Sequence, residues 1–247
     1  MKISATIITL NEERNLPRAL ESLDCVDEVV LVDSGSTDRT CEIACRHGAR
    51  VLTNPWPGYA AQKNFAAAQA SHDWILSLDA DEALSEPLSA AVTRLRQQGP
   101  QAAAYGMPRR AQYLGRWILH SGWYPDEKVR LYDRTRARWS GDYVHESVQV
   151  DGAVGRLDGD LLHYTCDSLS QHLRTLDRYT TLAAAELRAS GRRAGPARLL
   201  LAPPWTFLRT YVLQQGFRDG RQGLLISAMA AWYVFLKWAK TLEEGQK

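Results

Sequence analysis

The feature that most constrains this chain is an alternation of short, β-branched apolar runs with helix-forming stretches over its first third. Ile3 to Leu10 is nearly all apolar, the pattern of a strand covered on both faces as in a parallel sheet. Behind it Asn11 reads as a helix N-cap, with Leu16, Ala19, Leu20 and Leu23 at helical spacing. A second apolar run, residues 28–32, ends at Asp33, and Ser36 reads as the cap of a helix over residues 37–47. Residues 50–53 predict a third strand, 59–70 an Ala-rich helix, and 74–78 a fourth strand ending at Asp79. Strand and helix in strict alternation predict a parallel α/β sheet.

After Asp81 the pattern loosens. Residues 87–98 predict a helix, 101–109 and 127–132 strands, and 148–150 and 161–164 shorter strands, separated by loops rich in Gly, Trp and Tyr. From Leu169 onward only helices are expected, broken at Gly191 to Pro196 and again at Pro203-Pro204. A length of 247 residues fits one large domain, or one with an appendage.

Charge sets limits on partners. The net charge is +2, too small for a nucleic-acid binder that works through bulk electrostatics. It is unevenly spread: residues 1–167 carry a net −5 and residues 168–247 a net +7. A basic final third suits an anionic partner such as phospholipid or a phosphorylated substrate. The four cysteines, Cys25, Cys41, Cys45 and Cys166, form no CxxC pair and read as small buried hydrophobes of a reducing compartment. MKISATIITLNEE turns acidic too soon for a signal peptide, and no apolar stretch reaches the roughly 20 residues of a membrane span.

In an open α/β sheet, ligands bind outside the carboxyl ends of the strands. Four such ends are legible: Asn11-Glu12, Asp33-Ser34, Asn54-Pro55 and Asp79-Ala80-Asp81. Converging carboxylates repel and require cations or hydrogen-bond donors beside them. Asp79 and Asp81, where a strand becomes a loop, suit a hard divalent cation with positions left for phosphate oxygens. No GxGxxG follows the first strand and no GxxxxGK[ST] exists, so a nucleotide would not be held by a glycine loop. Asp33 can instead accept from a base N–H or a ribose hydroxyl, and a metal on Asp81 can take a diphosphate.

Ile7-Ile8-Thr9-Leu10-Asn11-Glu12-Glu13, Val32-Asp33-Ser34-Gly35-Ser36-Thr37-Asp38 and Leu78-Asp79-Ala80-Asp81-Glu82 resemble the ordered motifs of the family 2 glycosyltransferases, which are inverting enzymes of GT-A fold. Later segments narrow the likeness. Trp56-Pro57-Gly58-Tyr59 with Gln62-Lys63-Asn64, Gly122 to Asp126, Arg130-Leu131-Tyr132, Val144-His145-Glu146 and Gly216 to Arg221 resemble the branch that adds β-1,4-linked glucose to the lipopolysaccharide inner core. The resemblance implies a UDP-linked sugar donor, Mg²⁺ or Mn²⁺, and an α/β GT-A-type, mostly parallel sheet flanked by helices with a helical C-terminal region. It implies a catalytic domain over residues 1–167, with a nucleotide-sugar half (1–82) and an acceptor half (83–167). By position Thr9, Asn11 and Glu12 would line the nucleoside pocket, Asp33 would contact uracil or ribose, and Asp79 and Asp81 would serve the sugar and the metal-bound diphosphate. Lys63 would reach a phosphate, or else be an exposed helix lysine.

One inverting displacement needs one general base and a stabilised leaving group. Glu146 is the first candidate for the base and Asp126, with Glu127 beside it, the second; the family's usual Glu-Asp pair is absent. Glu146 could equally be a partner for Arg130, and Arg130 could offset diphosphate charge or pair with a site carboxylate. His145 is placed to orient Glu146. His120, His145 and His163 are too widely spread to declare a metal site, and each reads as structural. Trp117, Trp123, Tyr124 and Trp139 read as core, with stacking on an acceptor sugar as the alternative.

Residues 168–247 read as a basic amphipathic helical region. Arg209, Arg218, Arg221, Lys237 and Lys240 flank apolar runs containing Trp205, Tyr211, Trp232, Tyr233 and Trp238, a pattern suited to a membrane interface. Packing on the catalytic domain or on another subunit is the alternative. The function expected is therefore transfer of a hexose, glucose foremost, from a UDP-sugar to a heptose of the lipid A-core, by an enzyme peripheral to the inner face of the cytoplasmic membrane. A polyprenyl-linked or capsular acceptor, a nucleotidyltransferase, and a non-catalytic sugar-nucleotide-binding protein are the competing readings.

Overall fold

The structure is a computed structural model that describes residues 1–141, 146–191 and 195–243. In chain order its elements are β1 (Ile3–Thr9), α1 (Leu16–Glu21), β2 (Glu28–Asp33), α2 (Thr40–Arg46), β3 (Arg50–Thr53), α3 (Tyr59–Gln69), β4 (Trp74–Asp79), β5 (Glu82–Leu84) and α4 (Glu86–Gln98). There follow β6 (Ala104–Tyr113), β7 (Arg116–Trp117), β8 (Asp126–Asp133), β9 (Ala137–Ser140), β10 (Ser147–Val150), β11 (Val154–Arg156) and β12 (Leu161–Cys166). The chain ends in α5 (Leu169–Ala189), α6 (Pro196–Leu208) and α7 (Gly220–Glu243). It divides into two compact units, residues 1–109 with 126–164, and residues 110–125 with 165–247.

The first unit is built on a sheet whose strand order is β3-β2-β1-β4-β8-β6-β12-β5. The strands β3, β2, β1 and β4 are parallel, and β8 and β6 join antiparallel. This is the expected GT-A-type α/β sheet, with a parallel half carrying the four legible strand ends. Every residue of β1 is buried, which explains its run of apolar and small or β-branched residues. Its neighbours place Thr9 beside Asp33 and Ile8 beside Asp79, so Asp33 and Asp79 flank the carboxyl end of β1. Leu16, Ala19, Leu20, Leu31, Leu76, Leu88 and Val92 fill one face of the sheet, and Val30, Ala67, Ile75 and Tyr132 the other.

Two capping assignments fail for one reason. The helix expected behind Asn11 begins only at Leu16, and that expected behind Ser36 begins at Thr40. The Asn11 side chain instead accepts from the Thr37 amide (2.8 Å), and the Ser36 hydroxyl donates to Asp33 and accepts from the Asn11 amide (2.8 Å). These polar residues lace two strand-end loops together rather than cap their own helices. Pro203 and Pro204 were expected to end a helix but lie inside α6, which continues into a π-helical turn, Arg209–Leu213. The break near Gly191 to Pro196 is present, since α5 ends at Ala189 and α6 starts at Pro196.

The second unit has its own small core, in which Tyr113, Ile118, Cys166 and Ile226 are buried with Leu114, Trp123 and Leu225 against them. Buried Asp219 accepts from the amides of Leu119 (3.3 Å) and His120 (3.0 Å) and pairs with His120 Nδ1 (3.0 Å). It thereby pins the loop before Pro125 to the 3₁₀ turn Gly216–Asp219. No helix among the described residues is long and apolar enough to cross a membrane.

Gly223 packs where no side chain fits. A Cβ there would lie 1.8 Å from the Gly216 carbonyl oxygen, a backbone atom that cannot swing aside. Gly223→Ala is expected to lower unfolding free energy by roughly 3 kcal/mol, the upper end of overpacking costs. Urea denaturation of the variant beside the wild type checks this, and equal midpoints would refute it.

Candidate active site

The first part of the site forms where β1 and β2 end. Thr9 Oγ1 donates to Asp33 Oδ1 (3.1 Å), the Gly35 and Ser36 amides donate to Asp33 Oδ2 (2.8 Å each), and the Ser36 hydroxyl bonds Oδ1. Each carboxylate oxygen thus already accepts two bonds, which fills its lone-pair sites. Burial acts to raise the Asp33 carboxyl, but these donors outweigh it and hold the group below the usual carboxylate range. Asn11 sits at φ 57°, in the left-handed region that Asn tolerates, and the Glu12 amide donates to Thr40 Oγ1 (2.8 Å). At the third strand end, Asn54 and Ser34 both bond buried Gln62 of α3.

One helix step from Gln62, Lys63 turns inward. Its side chain is 2% exposed, which removes the reading of an exposed helix lysine. Lys63 Nζ lies 2.9 Å from Asp79 Oδ1 and 3.4 Å from Glu146 Oε1. Arg130, buried on β8, reaches Asp79 Oδ2 (2.7 Å) and Glu82 Oε1 (2.6 Å). Arg109 reaches Glu82 (3.2 Å) and Asp126 (2.7 Å), and Lys128 reaches the other Asp126 oxygen (2.9 Å). The Trp139 ring lies 4.2 Å from Lys63 Nζ and 5.4 Å from the Arg130 guanidinium, so it covers both cations with an apolar face that attracts them.

Four cations therefore alternate with four carboxylates: Glu146, Lys63, Asp79, Arg130, Glu82, Arg109, Asp126, Lys128. Burial pushes Asp79 upward, but Arg130 and Lys63 outweigh it and hold its carboxyl far below the usual range. Asp126 is likewise held low, since Lys128 and Arg109 overcome the effect of burial.

Asp81 and Glu12 stand outside this chain, and among the described residues neither pairs with a Lys or Arg. Asp81 Oδ2 lies 3.2 Å from His163 Nε2 on β12. Glu12 is raised by burial, is partly offset by a hydrogen bond from Asn15, and is raised further by the charges of Asp81, Asp38 and Asp79. The surplus negative charge of the site lies at Asp81 and Glu12.

The structure thus brings together Asp79, Lys63, Arg130 and Glu146, all named from sequence, and ties Asp126 to them through Arg109. Asp79, read as a metal ligand beside Asp81, has protein cations on both oxygens. His163 comes to Asp81, although its place in the sequence gave no sign of it. Glu82 was legible only as part of the third motif, and nothing local marked Arg109. Val144 and His145 lie outside the described residues. Trp139 belongs to the core, and Trp123 packs edge-on against Tyr113 at 5.6 Å.

Open α/β sheets take their ligands outside the carboxyl ends of the parallel strands, where these charged groups gather. The pattern of glycosyl transferase family 2 matches residues 4–151. The lipopolysaccharide core biosynthesis glycosyltransferase LpsC of Rhizobium meliloti is 33% identical over 97% of this chain and 92% of that protein. An uncharacterized glycosyltransferase of Rickettsia typhi is 33% identical over the whole chain and 88% of its own. The chain belongs to glycosyl transferase family 2 and is a glycosyltransferase, as its motifs imply. Among solved structures it aligns with Staphylococcus aureus TarS 1–349 in complex with UDP, at TM-score 0.48 and 17% identity over 100% of this chain and 92% of that one. It also aligns with glucosyl-3-phosphoglycerate synthase from Mycobacterium tuberculosis in complex with Mn²⁺, UDP and phosphoglyceric acid, at TM-score 0.36 and 26% identity over 46% of this chain and 44% of that one. Both are distant likenesses, and the family membership stands on the sequence.

Proposed function

We propose that this glycosyltransferase moves a hexose, glucose foremost, from a UDP-linked donor to a heptose of the lipopolysaccharide core, with inversion and with the help of a divalent cation. The observation that carries the reading is the charge pattern: eight groups neutralise one another and leave the Asp81 carboxylate facing an imidazole nitrogen. The carboxylate oxygen suits Mn²⁺ or Mg²⁺, the imidazole nitrogen favours the softer Mn²⁺ of the two, and the surplus negative charge there favours a cation. Asp81 and His163 would hold it, and when bound it would offset the charge of the departing diphosphate. The core acceptor is supported by the likeness to LpsC.

In this reading Thr9, Asn11 and Glu12 line the nucleoside pocket. Asp33 shapes its floor, and a base or ribose donor would share an oxygen already bonded to Ser36. Lys63 and Arg130 keep Asp79 ionised and aimed, so that it can accept from sugar hydroxyls. Glu146 accepts the proton of the attacking acceptor hydroxyl. Its side chain is 19% exposed and meets one cation, whereas Asp126 meets two and is the poorer base for it. Residues 168–247 are proposed as the region that meets the inner face of the cytoplasmic membrane, where a lipid-linked acceptor resides.

The test is UDP release from UDP-glucose, UDP-GlcNAc and UDP-galactose with Mn²⁺, with and without a heptose-containing lipid A-core. Acceptor-dependent release with one donor is expected. Glu146→Gln is expected to lower kcat roughly 100- to 10,000-fold, the usual range of general-base catalysis, with donor affinity unchanged. Release indifferent to the core acceptor would point to another lipid-linked acceptor, and no binding of any nucleotide sugar would refute the reading.

A further inference from the structure

We infer that the exposed apolar stripe of α6 and the turn that follows it is a docking surface for an anionic lipid bilayer. The inference names the element and residues for the membrane contact in the proposed function and rests on that reading for its place at the membrane.

Apolar side chains usually cover themselves, and large contiguous exposed patches mark interaction sites. Here Leu200 is 69% exposed, Leu201 68%, Trp205 57% and Leu213 62%. Leu201, Trp205, Leu208 and Val212 follow one another at spacings of four, three and four along α6 and its π-helical extension. They therefore line one side of a continuous helical segment. The opposite side is taken, since α6 packs on α7 within the same unit. The apolar stripe runs for only about three turns, too short to cross a bilayer but suited to lie along its surface.

The charge around the stripe selects the occupant. From Pro196 to Arg218 the chain contains three arginines, Arg198, Arg209 and Arg218, and no acidic residue. All three arginines are exposed. The next acidic residue, Asp219, is buried and bound to His120, so it is not displayed on this surface. Trp205 sits within the stripe, an aromatic of the kind that settles at the headgroup level. Arginine at both ends, tryptophan between them and no carboxylate form the complement of an anionic leaflet, whose potential attracts nearby basic residues. A second copy of this chain would offer the same positive charge and would repel.

The experiment is co-sedimentation of the full chain with vesicles of phosphatidylcholine alone and with vesicles containing phosphatidylglycerol, at low and high salt. Binding is expected to favour the anionic vesicles by roughly tenfold or more and to weaken with salt. Leu201→Glu with Trp205→Glu is expected to abolish binding while thermal melting and turnover of a delipidated, soluble core acceptor stay at wild-type values. Arg209→Gln with Arg218→Gln is expected to remove the preference for anionic lipid and leave the weak apolar binding. Wild-type vesicle binding by the Leu201/Trp205 variant would overturn the inference. So would light scattering that shows a dimer which those substitutions dissociate, since the stripe would then be an interface between copies. Lost nucleotide-sugar turnover with intact, stripe-dependent vesicle binding would instead sink the proposed reaction and leave the docking surface standing.

Discussion

Asp81→Asn is expected to lower sugar transfer roughly a thousandfold, the scale of several kcal/mol of lost charge stabilisation at a leaving group. The reasoning separates the two carboxylates of the motif. Asp79 is held by Lys63 and Arg130, so its loss leaves those two buried cations with one carboxylate each, Glu146 and Glu82, and weakens the fold as well as the site. Asp81 is not part of that chain of ion pairs and faces His163 across 3.2 Å, so its loss should leave packing intact and, in the proposed role, remove a metal ligand. Asp81→Asn should therefore melt near the wild-type temperature, whereas Asp79→Asn should melt well below it. His163→Ala should raise the Mn²⁺ concentration for half-maximal turnover roughly 10- to 100-fold, the loss typical of weakened metal coordination. Calorimetric titration of Mn²⁺ into each variant, with UDP present, reads the ligand role apart from activity. Unchanged Mn²⁺ affinity in both Asp81→Asn and His163→Ala would remove the pair from the metal site.

The parallel half of the sheet was legible because its information is local. Of the first four strands β1, β2 and β4 are apolar runs largely buried on both faces, and β3 is the half-exposed edge strand beside them. Once β1 lies between β2 and β4, register alone sets Thr9 beside Asp33 and Ile8 beside Asp79. The rest of the site depends on contacts that no window of sequence contains. His163 meets Asp81 from 82 residues away, because β12 pairs with β5 and sets His163 opposite Glu82. Lys63 looks like a surface lysine in an Ala-rich helix until Trp139 and Asp79 are seen to enclose it. Ser36 and Asn11 look like caps because the same hydrogen-bonding chemistry that caps a helix also ties one loop to another. The prolines of α6 break a local rule on a helix whose exposed side faces no part of its own unit.

Glu82→Gln is expected to cost roughly 1.5–3 kcal/mol of stability, the range for hydrogen bonds to charged groups. The substitution keeps the shape and removes the charge. Glu82 is 0% exposed; its Oε1 meets both Arg130 and Arg109, and its Oε2 accepts the Asp79 amide (3.2 Å). Without that charge Arg130, itself 4% exposed, retains Asp79 as its carboxylate partner, and Arg109 retains Asp126. The same side chain braces the turn that carries Asp79 toward Asp81, and its strand positions His163. Glu82 is thus a positioning residue, and loosening it should do more than lower the melting temperature. At a temperature where the variant remains folded, the Mn²⁺ requirement should rise while the KM for the soluble acceptor stays constant. A merely structural glutamate would lower stability and the amount of active enzyme but leave the metal requirement of the folded fraction unchanged. Glu82→Asp keeps the charge and should recover part of the stability, and failure of Asp to outperform Gln would show that shape rather than charge holds Arg130 in place.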